Sequence, residues 1–285
     1  MIHDDRICEL GEGPLWHPRR QQLFWFDILG KRLLARTGDG LQTHHEFDEH
    51  ASSAGWIDDV TLLIATESGL YRLDIENGAR SLIAPLEPDN PLTRSNDGQA
   101  DPWGGFWVGT MGKNAEPGAG ALYRLYRGEV RRLFADLTIP NAICFSPDRR
   151  FAYFTDTAKA EILRVPLAPD TGFPAGDAEI LIGRPQMSGG PDGAAVDRAG
   201  NLFVAQWGAG KIAVFSPDGQ LLRNLDVPAQ HVSCPAFGGP DCTTLYVTSA
   251  RAELSAQQIA ANPQNGMTFQ IAAAGQGRPP PCIRL

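Results

Sequence analysis

Cysteine is scarce in this chain and is not arranged for a disulfide framework or a thiolate zinc site. The 285 residues include five cysteines, at positions 8, 144, 234, 242 and 282. Their number is odd, their spacings are wide, and no Cys-x-x-Cys pair occurs, which is typical of a reducing compartment. The N-terminal segment Met1–Arg6 (MIHDDR) also lacks the basic-then-apolar pattern of a signal peptide. We therefore expect a cytoplasmic protein.

Long apolar runs and clusters of positive charge are missing as well. No stretch approaches the ~20 apolar residues of a membrane-spanning helix, so no membrane partner is expected. The chain has 25 Lys and Arg against 33 Asp and Glu, and its formal net charge is −8. Because a surface that neutralises phosphates needs clustered cations, we expect no nucleic-acid partner. Sustained helical periodicity is present only weakly, over Ala252–Ala261.

What the chain does contain is one strand pattern repeated six times. Each copy places a large apolar or aromatic residue third and a β-branched residue or Phe fourth, which is typical of strands buried on both faces. The six copies are Leu23–Ile28, Thr61–Thr66, Gly105–Thr110, Phe151–Asp156, Asn201–Gln206 and Thr244–Ser249. A second strand is predicted after each one, at Gly30–Thr37, Ser68–Ile75, Gly120–Gly128, Ala160–Leu167, Gly210–Phe215 and Gly266–Ala273.

A period of roughly 40–50 residues with several strands per unit indicates a β-propeller. Six units predict an all-β, six-bladed β-propeller with four-stranded blades, formed by a single domain over residues 1–285. A closed ring avoids two exposed sheet edges, and Arg6–Leu10 is the predicted closing strand. The alternatives are a parallel β-helix and a pair of β-sandwiches, whose repeats are shorter or whose strands are less regular.

The innermost strands of such a ring all run the same way along a central channel, so their first residues meet at one mouth. Aligning the six units on the turn after each inner strand places an oxygen-bearing side chain at every equivalent position: Glu12, Ser53, Asn96, Asn141, Asp192 and Ser233. Carboxylates and amides that face one another in a narrow channel are costly without a counter-ion. Oxygen-only ligands favour Ca²⁺, Mg²⁺ or Mn²⁺, and Zn²⁺ or Fe²⁺ can also use such a site. The alternative is that these residues only line a water-filled channel.

Six short motifs, in order along nearly the whole chain, carry a family resemblance. They are Leu10–Trp16 (LGEGPLW), Arg94–Gly98 (RSNDG), Gly120–Leu125 (GALYRL), Ile139–Ala142 (IPNA), Pro191–Gly193 (PDG) and Phe237–Asp241 (FGGPD). Together they resemble the regucalcin (senescence marker protein)/gluconolactonase family, and the chain is most similar to its bacterial sugar-acid lactonases. The resemblance implies a six-bladed propeller with one divalent metal ion in the channel, and a small-molecule sugar lactone as partner.

The resemblance also implies roles for individual residues. The implied metal ligands are Glu12, Asn141 and Asp192. The residues implied to bind substrate are Arg94, Asn96, Asp97 and Glu116, where Glu116 is placed by counting back from Gly120 across the loop Lys113–Ala119. Ser53 and Ser233 do not correspond to family ligands. His231 precedes the sixth inner strand and is close enough in sequence to reach the channel mouth.

The implied reaction is hydrolysis of an aldonolactone, such as a glucono-, galactono-, arabinono- or xylonolactone, to the free acid. A divalent ion (Ca, Zn, Mn, Mg or Fe) would polarise the carbonyl and activate water. Asp192 is the candidate general base, a role that competes with its role as a ligand. No Gly-x-Ser-x-Gly elbow is present, which argues against a serine esterase.

Two other functions and two assembly states stay open at this point. The alternative functions are a metal-dependent hydrolase of other esters or phosphotriesters and a non-catalytic calcium-binding propeller. The protein is expected to be a monomer or a small homo-oligomer.

Overall fold

The computed structural model describes residues 1–285 and consists of six four-stranded antiparallel sheets. Blade 1 contains β2 Gly11–His17, β3 Gln22–Asp27, β4 Arg32–Thr37 and β5 Gln42–Glu46. Blade 2 contains β6 Ala51–Trp56, β7 Thr61–Thr66, β8 Gly69–Asp74 and β9 Arg80–Pro85. Blade 3 contains β10 Thr93–Ala100, β11 Phe106–Gly112, β12 Gly120–Tyr126 and β13 Glu129–Leu137.

The other three blades follow the same order. Blade 4 contains β14 Pro140–Phe145, β15 Phe151–Asp156, β16 Glu161–Pro166 and β17 Glu179–Ile182. Blade 5 contains β18 Gly190–Val196, β19 Leu202–Trp207, β20 Lys211–Phe215 and β21 Leu221–Asp226. Blade 6 contains β22 His231–Gly238, β23 Thr244–Ala250, β24 Thr268–Ile271 and, from the start of the chain, β1 Ile2–Asp4.

The inner strands β2, β6, β10, β14, β18 and β22 contact one another in a ring, which confirms the six-bladed propeller. The six repeated strands and the six strands predicted after them are all present, with ends shifted by a few residues. The helix α1 covers only Ala256–Ala261, a shorter segment than the weak periodicity suggested. No helix is long and apolar enough to cross a membrane.

The predicted closure of the ring by an N-terminal strand is confirmed, but its predicted bounds, Arg6–Leu10, are wrong. Closure is made by β1, which pairs with β24 on the outer edge of blade 6. Residues 5–10 instead carry the chain from that outer edge to the innermost strand of blade 1, and Leu10 makes a single bridge to Ala250. The Arg6 side chain stabilises this crossover by an ion pair with the last residue of β1, in which Arg6 Nε lies 2.9 Å from Asp4 Oδ1.

The core is divided into six apolar clusters, one between each pair of neighbouring blades. The repeated strands supply most of it because both of their faces are covered by adjacent sheets. Trp107, for example, is fully buried between blades 3 and 4, with its ring 5.4 Å from that of Phe145 in an edge-to-face arrangement. Burying a side chain of this size contributes about 1.5–3 kcal/mol. Apolar packing between neighbouring blades therefore continues around the whole ring that encloses the channel.

A C-terminal strap, residues 275–285, crosses the end of the channel where the inner strands finish. Its Ile283 N–H donates to Trp56 O in blade 2, and its Arg284 N–H donates to Gly104 O in blade 3. A cavity of about 390 Å³ lies between the strap and the inner strands. The opposite mouth, where the inner strands begin, is the one that carries the predicted site residues.

Candidate active site

Each inner strand has an irregularity in its pairing near its N-terminal end. The register of β2 shifts between Glu12 and Leu15, and that of β14 shifts between Asn141 and Cys144. In β10 and β18 the shifts span Ser95–Gly98 and Pro191–Ala194. Bulges re-aim side chains away from the regular alternation of a strand. They explain how residues in sheets buried on both faces present polar groups to the channel.

The backbone directly after two of the predicted ligands is left-handed. Gly13 has φ 54°, and Ala142, at the equivalent place in blade 4, has φ 56°. A Cβ atom on Gly13 would lie 2.2 Å from the Ser52 carbonyl oxygen, so only glycine fits there. Ala142 tolerates the same conformation at a cost of about 1–2 kcal/mol. These turns set the directions of Glu12 and Asn141.

Glu12 and Asp192, which are 180 residues apart in sequence, lie in the channel close enough that each carboxyl group shifts the pKa of the other. Their relative exposures are 7% and 6%. Burial raises the pKa of Glu12, and the nearby Asp97 adds to the effect. Burial also raises the pKa of Asp192 well above its usual value, with Glu12 as the next cause. Two buried carboxyl groups so close together require either a shared proton or a cation.

A chain of hydrogen bonds runs beside this carboxyl pair through blades 3, 4 and 5. Arg94 Nη1 donates to Asn96 Oδ1 at 2.8 Å, and Asn96 Nδ2 donates to Asn141 Oδ1 at 2.9 Å. Asn141 Nδ2 then donates to Thr157 Oγ1 at 3.0 Å. Finally, the Thr157 hydroxyl donates to Pro191 O at 2.7 Å. The predicted residues Arg94, Asn96 and Asn141 are thus joined directly, and the chain ends beside Asp192.

The guanidinium group of Arg94 acts on both carboxyl groups. Burial lowers the pKa of Arg94 to about 10, and Glu12 and Asp192 oppose this shift. Its Nη1 is bound to Ser95 O and Asn96 Oδ1, whereas Nε and Nη2 make no hydrogen bond to the protein and are not sealed from solvent. Two guanidinium nitrogens are therefore free to donate to a substrate.

Asp97 is bonded to the neighbouring blade and makes no hydrogen bond or ion pair with Arg94. Its Oδ2 accepts a hydrogen bond from the Ile143 N–H at 2.8 Å, within the bulge of the neighbouring inner strand. Burial raises the pKa of Asp97 to about 6. One of its oxygens thus joins blades 3 and 4, which leaves Oδ1 for any contact with substrate.

Glu116 lies on the rim of the mouth, outside the buried cluster. Its carboxylate folds back onto its own loop and accepts hydrogen bonds from the Asn114 backbone N–H and the Asn114 amide. On the same rim, Lys113 Nζ lies 2.5 Å from Glu67 Oε2. The loop Lys113–Ala119 is therefore tied to blade 2 close to the strand that carries Arg94.

The remaining predicted mouth residues have other partners. Ser233 Oγ donates to Gly11 O, and Ser53 Oγ packs against Gly98, so both serines join neighbouring blades. His231 is buried, with its ring stacked on Trp207 at a centroid distance of 4.3 Å and Nδ1 2.9 Å from Ala252 O. The inner ring at the mouth is thus polar throughout, but only part of it faces the carboxyl pair.

The donor set fits a hard divalent cation. Glu12 and Asp192 supply carboxylate oxygens and Asn141 an amide oxygen, which are ligand types that such ions prefer. Nowhere in the structure do three or more His, Cys, Asp and Glu side chains form a metal-binding group. The set here has two carboxylates, and its third member is an amide. A cation in contact with both carboxylates would replace the proton that they otherwise share.

Two features of the site were not predicted from the sequence. Thr157 stands in the turn after a repeated strand, where a hydroxyl residue has no distinguishing signal. The contact between Lys113 and Glu67 joins two blades, and nothing local to either residue indicates it. Aligning the repeat units predicts which residues line the inner ring. It does not predict residues such as Thr157, which contact that ring from turns between strands.

Comparisons with known proteins find relatives that match nearly the whole chain. The crystal structure of a calcium-binding protein, regucalcin, from Agrobacterium tumefaciens superposes with a TM-score of 0.97 at 42% identity, covering 100% of this chain and 97% of that one. A 6-deoxy-6-sulfogluconolactonase from Pseudomonas putida is 37% identical over 91% of this chain and 90% of its own. A pentonolactonase from Haloferax volcanii is 33% identical over 96% of this chain and 94% of its own.

The family assignment covers the propeller from its first inner strand to the end of β23. Residues 10–251 match the model of the SMP-30/gluconolactonase/LRE-like region. That span contains every residue of the carboxyl pair, the hydrogen-bonded chain and the rim. Relatives named as lactonases act on cyclic carboxylic esters. This chain belongs to the SMP-30/gluconolactonase/LRE-like family.

Proposed function

We propose that this protein hydrolyses a sugar lactone to the free sugar acid at the channel mouth, with one divalent cation held by Glu12, Asn141 and Asp192. The burial of two neighbouring carboxyl groups beside the Asn141 amide carries the proposal, because buried like charges need a cation or a proton between them. Lactonases among the chain's relatives support the choice of reaction.

A divalent cation, when bound, supplies a Lewis acid for a carbonyl oxygen and lowers the pKa of water. The chain's own residues have the remaining tasks. Asp192 takes a proton from the attacking water as the water oxygen bonds to the carbonyl carbon. The same proton then passes to the ring oxygen as the carbon–oxygen bond of the lactone breaks. Asp192 has two carboxylate oxygens, which allows one to hold the cation while the other carries the proton.

The substrate is held by side chains that match a polyhydroxylated ring. Arg94 has two free nitrogens, which donate to substrate oxygens with fixed direction. Asp97 Oδ1 and the Glu116 carboxylate accept from hydroxyl groups, and Asn96 faces the substrate from beside Asn141. For Glu116 this role requires the carboxylate to leave Asn114 when substrate binds. A substrate without hydroxyls would use none of these acceptors, which favours a sugar lactone over an aryl ester or a phosphotriester.

The test is a metal-dependent proton-release assay on chelator-treated protein. A panel of five- and six-membered aldonolactones is supplied with Ca²⁺, Mn²⁺, Zn²⁺, Mg²⁺ or Fe²⁺. We expect turnover of at least one lactone only when a cation is added. Asp192→Asn should lower kcat by about 10²–10⁴-fold, because the amide cannot accept a proton. Glu12→Gln should weaken cation binding, measured by calorimetry.

Glu129→Gln is the matched control, since Glu129 is an exposed carboxylate on an outer strand and should leave kcat and KM unchanged. Far-UV circular dichroism shows whether each variant keeps its β structure. Absence of turnover with every lactone and cation would refute the proposal. Full activity of Asp192→Asn would refute the assigned role of Asp192.

A further inference from the structure

We propose that Thr157 is a positioning residue that holds the amide of Asn141 so that its oxygen faces the cation. The inference rests on the proposed function, because it assumes that Asn141 is a ligand. Thr157 lies in the turn after β15, half-buried between blades 4 and 5. It is bonded to a predicted ligand on one side and to the residue before another ligand on the other.

The polarity of the hydrogen-bonded chain is set from both of its ends. Arg94 can only donate, so Asn96 must turn its oxygen toward Arg94 and its NH₂ group toward Asn141. At the other end, the Pro191 carbonyl can only accept, so the Thr157 hydroxyl must use its proton to donate to Pro191 O. Thr157 Oγ1 can then only accept from Asn141.

Asn141 has one orientation that satisfies both neighbours. Its NH₂ group faces Thr157 and its Oδ1 faces Asn96. In the reversed orientation two NH₂ groups would oppose each other at Asn96, and the Thr157 hydroxyl would have to leave Pro191. The reversed amide would also present hydrogens to a cation.

The position of Thr157 is itself constrained by packing and by backbone bonds. Its N–H donates to Ile139 O at 2.9 Å. A Cβ atom built on Gly190 would lie 3.1 Å from Thr157 Cγ2, so the methyl group stands against the first residue of β18. Pro191 directly precedes Asp192. The Thr157 hydroxyl therefore contacts both the amide of Asn141 and the backbone beside Asp192.

The experiment measures binding of Ca²⁺ and Mn²⁺ to chelator-treated protein by calorimetry. Thr157→Val keeps the shape but loses both hydrogen bonds, and it should weaken the binding of both ions by about 10- to 100-fold, as removal of a ligand's supporting partner does elsewhere. Thr157→Ser keeps the hydroxyl and should restore the wild-type dissociation constants. At saturating cation, Thr157→Val should recover much of its kcat, because only the affinity for the cation is lowered. Glu12→Gln, which removes a ligand, is the reference for weak cation binding in the same calorimetry.

Thr155→Val is the matched control. Thr155 is a buried threonine on β15, two residues before Thr157; its backbone pairs with that of Asn141, but its hydroxyl donates to Glu161 O and makes no hydrogen bond to the Asn141 side chain. The inference is overturned if Thr157→Val binds both ions as tightly as the wild type. It is also overturned if Thr157→Ser is as weak as Thr157→Val, which would assign the effect to the methyl packing. If Thr157→Val loses its circular dichroism spectrum, Thr157→Ala is compared with Thr157→Ser in the same way. Wild-type protein that hydrolyses lactones but binds none of Ca²⁺, Mn²⁺, Zn²⁺, Mg²⁺ and Fe²⁺ would instead refute the metal site itself.

Discussion

Arg124 and Asp101 form an ion pair in blade 3 that is sealed from solvent. Arg124 Nε lies 2.6 Å from Asp101 Oδ2, and both side chains are 0% exposed. The guanidinium carbon stands 4.3 Å from the ring centroid of Tyr126 and 4.5 Å from that of Phe173. Asp101 also accepts, through Oδ1, from backbone N–H groups of its own turn. The pair therefore joins the turn after β10 to β12.

Replacing Arg124 with methionine keeps the length of the side chain and removes its charge. The Asp101 carboxylate would remain buried with two backbone donors and no counter-ion. Loss of one partner of a buried pair costs about 3–5 kcal/mol. For a chain of 285 residues, the usual unfolding entropy per residue converts this into a decrease in Tm of about 5–8 °C.

A double-mutant cycle tests the reasoning. We expect Asp101→Asn to cost a similar amount, because it leaves the guanidinium buried without an anion. The double variant should cost less than the sum of the single variants by about 0.5–3 kcal/mol, since no charge is then left unpaired. Urea unfolding is followed by tryptophan fluorescence and far-UV circular dichroism, and free energies are compared where the two transitions coincide. Additivity within about 0.5 kcal/mol would refute the coupling.

Two further predictions concern the backbone beside the site and the closure of the ring. Gly13→Ala should lower Tm more than Gly128→Ala does, because both glycines have positive φ but only Gly13 has a carbonyl, Ser52 O, within 2.2 Å of the added methyl; equal losses in differential scanning calorimetry would contradict this. Burial opposes ionisation of Asp4, but hydrogen bonds from Arg6 outweigh it and hold the pKa of Asp4 below its usual value. The stability that Asp4 contributes over Asp4→Asn should therefore be complete above about pH 4 and fall as pH drops through the folded-state pKa; urea midpoints whose difference does not change with pH would contradict it.

The propeller could be predicted because its signal is repeated and local. Each blade has a strand covered on both faces, and such strands read as short apolar runs such as Thr61–Thr66 that recur at a nearly constant spacing. The closing strand was misplaced because pairing between β1 and β24 joins opposite ends of the chain. Ile2–Asp4 has only three residues and no apolar run to mark it.

Equivalence between blades also located much of the site. Asn96 and Asn141 occupy matching places in neighbouring units, and they are in direct contact. Their donor and acceptor roles could not be predicted, because these depend on Arg94 and Thr157, which reach the amides from outside the aligned positions. The rim position of Glu116 was equally hidden, since it depends on the conformation of a loop with no repeat equivalent.

The pairing of β1 with β24 has a consequence for the order in which the molecule can be assembled. Of the strands in the propeller, β1 is made first but is the last that can pair, because its partner β24 is made about 260 residues later. Until then β1 has no edge to join, while β2 to β23 can already stack blade upon blade from the N-terminal side. Glu12 and Asp192 are likewise both made before blade 6, so their meeting does not have to wait for the pairing of β1 with β24. During synthesis the carboxyl pair can therefore form on an open arc, whereas the pairing of β1 with β24 has to wait until blade 6 is made.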